Sequence, residues 1–292
     1  MTHPILRRKD WFPPDGFPVA VERRNPQEPF GLHAHEFGEM VIITSGRGVH
    51  VTGKESYPLN MGDVFVIGGS RPHDYHNMER LCLINILFQP EKLDLLRDNE
   101  LRALPGYHAL FVLEPAWRLR HQFNSRLRLT AQELGVVGDL VDKLEHELQN
   151  RPPGFKYMAT AVFMQLVGYL SRCFGKARNP DSRALLRIGE AISHLEANYQ
   201  EPVDLEQLAR IAHMSKRHFI RNFQAAMGCS PIAHLIQLRV NHAASLLRQS
   251  HAGVTEIAFQ VGFGDGNYFA RQFHKLVGVT PSEYRRQHAR LG

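Results

Sequence analysis

The chain has 292 residues, of which 43% are hydrophobic and 22% charged, and a formal net charge of +6. This composition excludes a disordered or fibrous chain and suits two globular domains, while the basic balance is compatible with a polyanionic partner. The three cysteines form no Cys-x-x-Cys pair and no apolar run reaches the roughly 18 residues of a membrane span, so we expect a cytoplasmic protein that contacts no membrane.

Residues 19–88 have the texture of β-strands. Short runs of β-branched and aromatic residues occur at 41–44, 48–51, 64–67 and 81–88. Turn-forming residues separate them, among them Ser45-Gly46 and the stretch 60–63. Many short strands at regular spacing predict a sandwich or barrel.

After Pro90 the pattern becomes helical. Thr130 and Glu133 form a capping box, in which each side chain satisfies a free amide at the start of a helix. An apolar stripe follows at alternating steps of three and four residues: Leu134, Val137, Val141, Leu144 and Leu148. Two interpretations of this stripe stay open, packing on the chain's own barrel or a seam that pairs two subunits into a homodimer. A second apolar helix is predicted over 157–174, and a polar, proline-bearing linker over 175–186.

The last hundred residues contain an internal repeat with a period of about fifty residues. The repeated pairs are Phe219 and Phe269, Phe223 and Phe273, Gly228 and Gly278, Pro231 and Pro281, and Arg221 and Arg271. Each copy has the pattern of a short helix, a tight turn and a second helix, with Asp204 and Ser215 as the N-caps in the first copy. A long helix over 232–247 would join the copies. The repeat predicts two helix-turn-helix units.

The second helix of such a unit fits the major groove of DNA. Because Phe219 and Phe223 face inward, Arg217 and Arg221 share an exposed face one turn deep. Arginine suits a guanine edge, asparagine suits adenine and aspartate suits the amino group of cytosine. A single exposed arginine usually does nothing, but equivalent arginines in two copies favour a shared role. The predicted DNA-binding residues are Lys216, Arg217, Ile220, Arg221, Asp265, Asn267 and Arg271.

Residues 187–290 resemble the AraC family of transcription regulators. The signature is carried by Ile257-Ala258-x-x-Val261-Gly262-Phe263, by Tyr268-Phe269-x-Arg271-x-Phe273 and by the stretch 278–285. The resemblance implies two recognition helices in successive major grooves, activation of transcription and contact with RNA polymerase. Gly264 departs from the family, which usually has a capping residue there, so we expect the second recognition helix to start less firmly, with Asp265 supplying part of the cap.

A histidine-rich pattern in the N-terminal half resembles the two motifs of cupins. The first motif is Gly31-x-His33-x-His35-x-x-x-Glu39 with Gly46, and the second comprises Gly62-Asp63 and Pro72-His73. The resemblance implies that His33, His35, Glu39 and His73 bind one divalent metal, for which three imidazoles and a carboxylate are a sound ligand set. The alternative is a metal-free polar pocket in which the same four residues bind a ligand directly, with Trp11 or Phe37 as an aromatic wall.

The N-terminal half is also similar to the rhamnose-responsive activators of the AraC family, at 48–51, Tyr57, 62–65, His73-x-Tyr75 and 81–88. This likeness implies a small sugar, L-rhamnose or a related one, as the effector. We therefore predict an α+β two-domain activator with no catalytic residues: a cupin-like barrel with dimerisation helices over 1–174, the linker over 175–186, and an all-α DNA-binding domain with two helix-turn-helix motifs over 187–292. The alternative is a metal-dependent cupin enzyme fused to a helical partner module.

Overall fold

The computed structural model describes residues 3–53, 55–68, 71–93, 99–118 and 124–289. It contains two compact units, residues 1–189 and residues 190–292. A helix over Pro180–Ala197 begins inside the stretch 175–186 that the sequence analysis assigns to a linker. The exact domain boundaries stay a prediction.

The first unit is built on an antiparallel sheet. Its strands are β1 (Ile5–Leu6), β2 (Val19–Arg24), β3 (Ala34–His35), β4 (Gly38–Thr52), β5 (Glu55–Asn60), β6 (Asp63–Ile67), β7 (Asp74–Phe88) and β8 (Leu127–Arg128). The main sheet has the order β2-β7-β4-β6-β8 with β5 paired to β4, and β1 pairs in parallel with β3. Alternate residues such as Val41, Phe65 and Leu83 face one side and form its core. The predicted cupin-like sheet domain is confirmed.

The stretch Ser45-Gly46 is not the turn that the sequence predicts. It lies inside β4, which runs on to Thr52 with register shifts between Ile43 and Val49. Gly46 has a φ of +72°, and a Cβ there would lie 2.1 Å from the carbonyl oxygen of Arg80 on β7. Glycine is required here by a β-bulge and by the close approach of the β7 backbone. A glycine in the sequence marks a bulge in the same way as it marks a turn, so the two were not distinguishable.

Helices cover the sheet unit. They are α1 (Arg8–Trp11), α2 (Asn99–Arg102), α3 (Pro105–Tyr107), α4 (Glu114–Trp117), α5 (Ala131–Asn150) and α6 (Phe155–Gly175), with a 3-10 turn at Pro90–Lys92 and a π-helical stretch at His108–Leu113. The capping box of Thr130 and Glu133 starts α5 as predicted. Within the described ranges, no helix has the length and apolar character required to cross a bilayer.

The apolar stripe of α5 packs inside its own unit. Val137, Val141 and Leu144 are each 0% exposed, and α5 contacts α6 and β2. The interpretation of this stripe as a subunit-pairing seam is therefore wrong, because its side chains already have partners within the chain. The spacing of an amphipathic helix does not distinguish these two kinds of partner.

The second unit is helical. Its helices are the end of α7 (Pro180–Ala197), α8 (Leu205–Ile211), α9 (Lys216–Met227), α10 (Pro231–Gln249), α11 (Val254–Gln260), α12 (Gly266–Val277) and α13 (Pro281–Ala289). The predicted N-caps Asp204 and Ser215 accept hydrogen bonds from the backbone of their helices. The long α10 joins the two copies of the repeat, as predicted, and the helical fold of this domain is confirmed.

Candidate functional site

The two helix-turn-helix units have the same turn geometry. The amide of Met214 donates to the carbonyl of Ala209 in the first, and the amide of Phe263 donates to that of Ala258 in the second, both at 2.9 Å. The turn residue before each is left-handed, with φ values of 52° at His213 and 92° at Gly262. The repeat seen in the sequence is thus a repeat of hydrogen bonds.

Inside each unit a pair of buried phenylalanines sets the orientation of the second helix. The ring centroids of Phe219 and Phe223 are 5.7 Å apart, and those of Phe269 and Phe273 are 5.6 Å apart. All four rings are 0% exposed. Burial of one face of each helix fixes the opposite face toward solvent.

The exposed face of α9 carries the predicted set from the first unit. Lys216, Arg217 and Arg221 are exposed and Ile220 is partly exposed. All four border one shallow surface depression together with Gln224, one turn further along. The Nζ of Lys216 lies 3.2 Å from Glu206 Oε1 on α8. Sequence reasoning missed Gln224, although its spacing of three from Arg221 was a usable signal.

On α12 the predicted residues Asn267 and Arg271 are also exposed. The Arg271 guanidinium lies 5.9 Å from the centre of the Tyr268 ring. Asp265 is the N-cap of the helix and its carboxylate accepts from the amide of Tyr268. The helix therefore has a complete side-chain cap despite Gly264, and one carboxylate oxygen of Asp265 is used inside the protein.

In the sheet unit, the four residues of the cupin-like motif lie together and are buried, with exposures of 7% at His33, 1% at His35, 4% at Glu39 and 1% at His73. The Oε2 atom of Glu39 lies 3.1 Å from His35 Nε2 and 3.3 Å from His73 Nε2. The His33 and His73 rings stand 4.3 Å apart, and their backbones pair through two hydrogen bonds. Folding thus brings together residues that are forty positions apart in the chain.

Each of these histidines directs Nδ1 to a backbone carbonyl. The distances are 2.8 Å from His33 to Gly31, 2.6 Å from His35 to Phe37 and 3.3 Å from His73 to Arg71. An Nδ1 that donates leaves a lone pair on the Nε2 of a neutral imidazole. At His35 and His73 that lone pair faces the Glu39 carboxylate, so two acceptors meet unless a proton or a cation lies between them.

The electrostatics of the cluster follow from burial and from these contacts. Burial raises the pKa of Glu39, but His35 and His73, when their Nε2 atoms carry a proton toward the carboxylate, lower it more, so the net shift is downward. Burial is the main cause that lowers the pKa of His33. Glu39 is therefore an ionised acceptor held among imidazoles near neutral pH.

His35, Glu39 and His73 each offer one ligand atom, and these three atoms lie within 4.8 Å of one another. The His33 ring nitrogens are outside this group. Two imidazole nitrogens and a carboxylate oxygen, with both Nδ1 atoms held by carbonyls, fit a divalent metal such as Zn, Fe, Mn or Ni. The same polar atoms also fit the hydroxyls of a small ligand.

A cavity opens beside the cluster. It is small, with a volume of about 40 Å³. His33, His35 and Glu39 line it, and so do Trp11 and Phe37, the predicted aromatic wall. The sequence did not place the remaining polar lining in the pocket, which is Glu22, Arg24, Gln27, Tyr75 and Asn85. Tyr75 and Asn85 lie in stretches that carry the likeness to the rhamnose-responsive activators, but no residue of this set belongs to the cupin-like motifs.

Comparison with family models assigns both halves of the chain. Residues 18–144 match the AraC-like ligand binding domain, and residues 208–287 match a helix-turn-helix domain.

The chain is similar over nearly its whole length to transcription activators. It is 34% identical over 287 residues to the HTH-type transcriptional activator RhaR of Escherichia coli (strain K12). The aligned residues cover 98% of each chain. It is 32% identical over 282 residues to the protein of that name from Salmonella schwarzengrund (strain CVM19633), with 96% of each covered. A solved AraC-type regulator from Chromobacterium violaceum is 32% identical over 36% of this chain and 95% of its own, with a TM-score of 0.34. The two activators named above are transcription regulators, so the alternative of a metal-dependent enzyme is not favoured.

Proposed function

Because the chain belongs to the AraC family of transcription regulators, we propose that it activates transcription from promoter DNA when a small sugar occupies the cavity of its N-terminal domain. The observation that carries this proposal is the identity of 34% to RhaR across 98% of both chains. RNA polymerase is the partner that activation requires, and a chromosomal target implies action in the cytoplasm.

The proposed DNA contacts are Lys216, Arg217, Ile220 and Arg221 on α9, and Asp265, Asn267 and Arg271 on α12. Their support is that both helices expose equivalent faces with arginine at equivalent positions. An arginine fork on a guanine edge contributes about 1–3 kcal/mol of discrimination. Gln224 and His274, one turn further along each helix, extend the same faces.

Quantitative footprinting tests these contacts. Arg217→Ala or Arg271→Ala should weaken binding to the promoter roughly 5- to 150-fold and relax base choice at one position. Arg47→Ala is the matched control, because it removes an arginine whose side chain is 69% exposed, in the sheet unit. An unchanged footprint in both helix variants would remove these helices as the DNA readers.

For the effector we propose a neutral sugar of the deoxyhexose class, L-rhamnose or a related sugar, bound by His33, His35, Glu39 and His73. The buried cluster offers polar atoms beside the aromatic rings of Trp11 and Phe37, a combination that suits a sugar ring. A ligand that binds only the folded protein raises its unfolding temperature. A thermal-shift screen of pentoses and deoxyhexoses should show this rise, and Glu39→Gln should abolish it without affecting DNA binding in the absence of sugar.

A second candidate role for the same cluster is a divalent-metal site. It is favoured by the facing acceptors of Glu39, His35 and His73. Titration of the full chain with Zn²⁺, Mn²⁺ or Ni²⁺ at neutral pH should then show one site that Glu39→Gln removes. Wild-type protein that binds none of these ions would overturn this role and leave the sugar proposal intact.

We further propose a homodimer that forms through the outward face of α5 and α6 and not through the buried stripe. Val136 is 37% exposed there and borders a groove of about 420 Å³ that also contains Asp139, Lys143 and Arg172. Opposite charges on one face suit self-association by a two-fold axis. Val136→Glu should produce monomers in analytical ultracentrifugation, whereas Met61→Glu, at a residue 54% exposed on a β-turn, should not.

A further inference from the structure

The polar wall of the cavity formed by β2 and β7 is separate from the cupin-like motif. In the antiparallel register Glu22 on β2 stands opposite Asn85 on β7. Strand alternation sends the intervening Arg23 to the other side, where its Nε donates to Glu145 on α5 at 2.8 Å. Glu22 and Arg24 therefore face the cavity, and Arg24 Nη2 lies 3.2 Å from Glu22 Oε2.

Two residues that line this cavity each have a buried polar atom without a hydrogen-bond partner among the described residues. These atoms are the hydroxyl oxygen of Tyr75 and Oδ1 of Asn85. Tyr75 is only 6% exposed as a whole residue. Buried polar groups of native proteins nearly always have a partner, so each exception calls for an explanation.

The two atoms have complementary capacities. A tyrosine hydroxyl donates and accepts, whereas an amide oxygen only accepts. Both residues border a cavity that also has the apolar walls Leu6 and Leu87. A neutral ring with several hydroxyls supplies partners for both atoms and apolar faces for the walls.

We propose that Tyr75 and Asn85 are specificity-determining residues of the effector site, Tyr75 donating to one oxygen of the sugar and Asn85 Oδ1 accepting from a hydroxyl. This inference rests on the proposed function, because it presumes that the cavity is where the sugar binds. It adds that selectivity among sugars is set by these two residues outside the histidine cluster. A site that hydrogen-bonds a hydroxyl rejects the analogue that lacks it, because its own polar group is then left unpaired.

Tyr75→Phe should weaken sugar binding without destabilising the free protein. The substitution removes only a hydroxyl that has no hydrogen-bond partner among the described residues, so the unfolding temperature without sugar should stay the same or rise. Affinity for L-rhamnose should fall about 10-fold, which is the net effect of losing one neutral hydrogen bond. A merely structural tyrosine would lose stability instead. Tyr57→Phe is the matched control, since Tyr57 is 3% exposed in the same core but does not border the cavity.

Isothermal titration of the full chain with L-rhamnose and its monodeoxy analogues tests the proposal. Asn85→Leu should weaken binding about 10-fold, and Asn85→Asp, which keeps an acceptor oxygen, should weaken it less. The analogue that lacks the hydroxyl bound by Tyr75 should bind wild type about 10-fold more weakly than L-rhamnose does. Tyr75→Phe should bind this analogue and L-rhamnose equally well, because the protein then lacks the group that contacts that hydroxyl.

The outcomes distinguish a failure of this inference from a failure of the proposed function. Wild-type protein that binds sugar while Tyr75→Phe and Asn85→Leu bind it equally well would overturn this inference alone. Additive losses for every analogue would also overturn it. Wild-type protein that binds no sugar of the panel would overturn the proposed function, and this inference with it.

Discussion

Gly262, in the turn of the second helix-turn-helix unit, is a residue where a single methyl group should be costly. It has a φ of +92°, and a Cβ there would lie 2.4 Å from the carbonyl oxygen of Gln200. The left-handed backbone costs a non-glycine residue about 1–2 kcal/mol. Overpacking of well-packed neighbours typically costs a further 1–3 kcal/mol or so. Gly262→Ala should therefore destabilise the DNA-binding unit by about 2–5 kcal/mol.

Differential scanning calorimetry of the full chain measures this loss. The transition of the DNA-binding unit is the one that promoter DNA raises, and it should fall by at least about 8 °C. Gly278→Ala is the matched control, because it has a φ of +87° and nothing within 4 Å of a Cβ. It should lose only the backbone contribution of about 1–2 kcal/mol. Equal losses in the two variants would refute the close approach to Gln200 as the reason.

Three further predictions concern single side chains. Asp265→Ala removes the N-cap bond to Tyr268 and should cost about 1 kcal/mol of stability in calorimetry, whereas Asp265→Asn, a residue that also caps, should cost less. Burial raises the pKa of Cys173 to about 11, so iodoacetamide at neutral pH should alkylate the partly exposed Cys82 first, and equal rates by mass spectrometry would contradict this. The pKa of Glu39 is lowered from its ordinary 4.5 in the folded protein. Its ionised form therefore stabilises the sheet unit above about pH 4.5, and this stability is lost as the pH falls below that value. The thermal unfolding temperature below about pH 4.5 should depend less on pH in Glu39→Gln than in wild type.

Local signals predicted the helical unit well. The capping residues Asp204, Ser215 and Thr130 mark the starts of their helices in the structure as they do in the sequence. These features need only residues within one or two turns of each other, so they can be read from a short window of sequence. Because the helix-turn-helix pattern occurs twice, the second copy supported the prediction made from the first.

In the sheet unit, local runs predicted most of the strands, but the grouping of distant residues was predictable only where a motif linked them. The spacing of His33, His35 and Glu39 anticipated a cluster, and the second motif added His73. The likeness at 81–88 includes Asn85 but gives it no place in the pocket, because its position opposite Glu22 depends on the register of β2 against β7. Register is set by which strands pair and by bulges along them, and these are long-range properties.

By itself, the sequence determined the two-domain organisation, the paired helix-turn-helix units and the histidine cluster, because periodicity, caps and motif spacing are properties of the chain read in order. Tertiary structure alone decided that the stripe of α5 is buried, that Gly46 lies in a bulge, and that Tyr75 and Asn85 line the cavity. Whether an apolar face meets its own sheet or another molecule depends on the partner surface, which is assembled from strands far away in the chain.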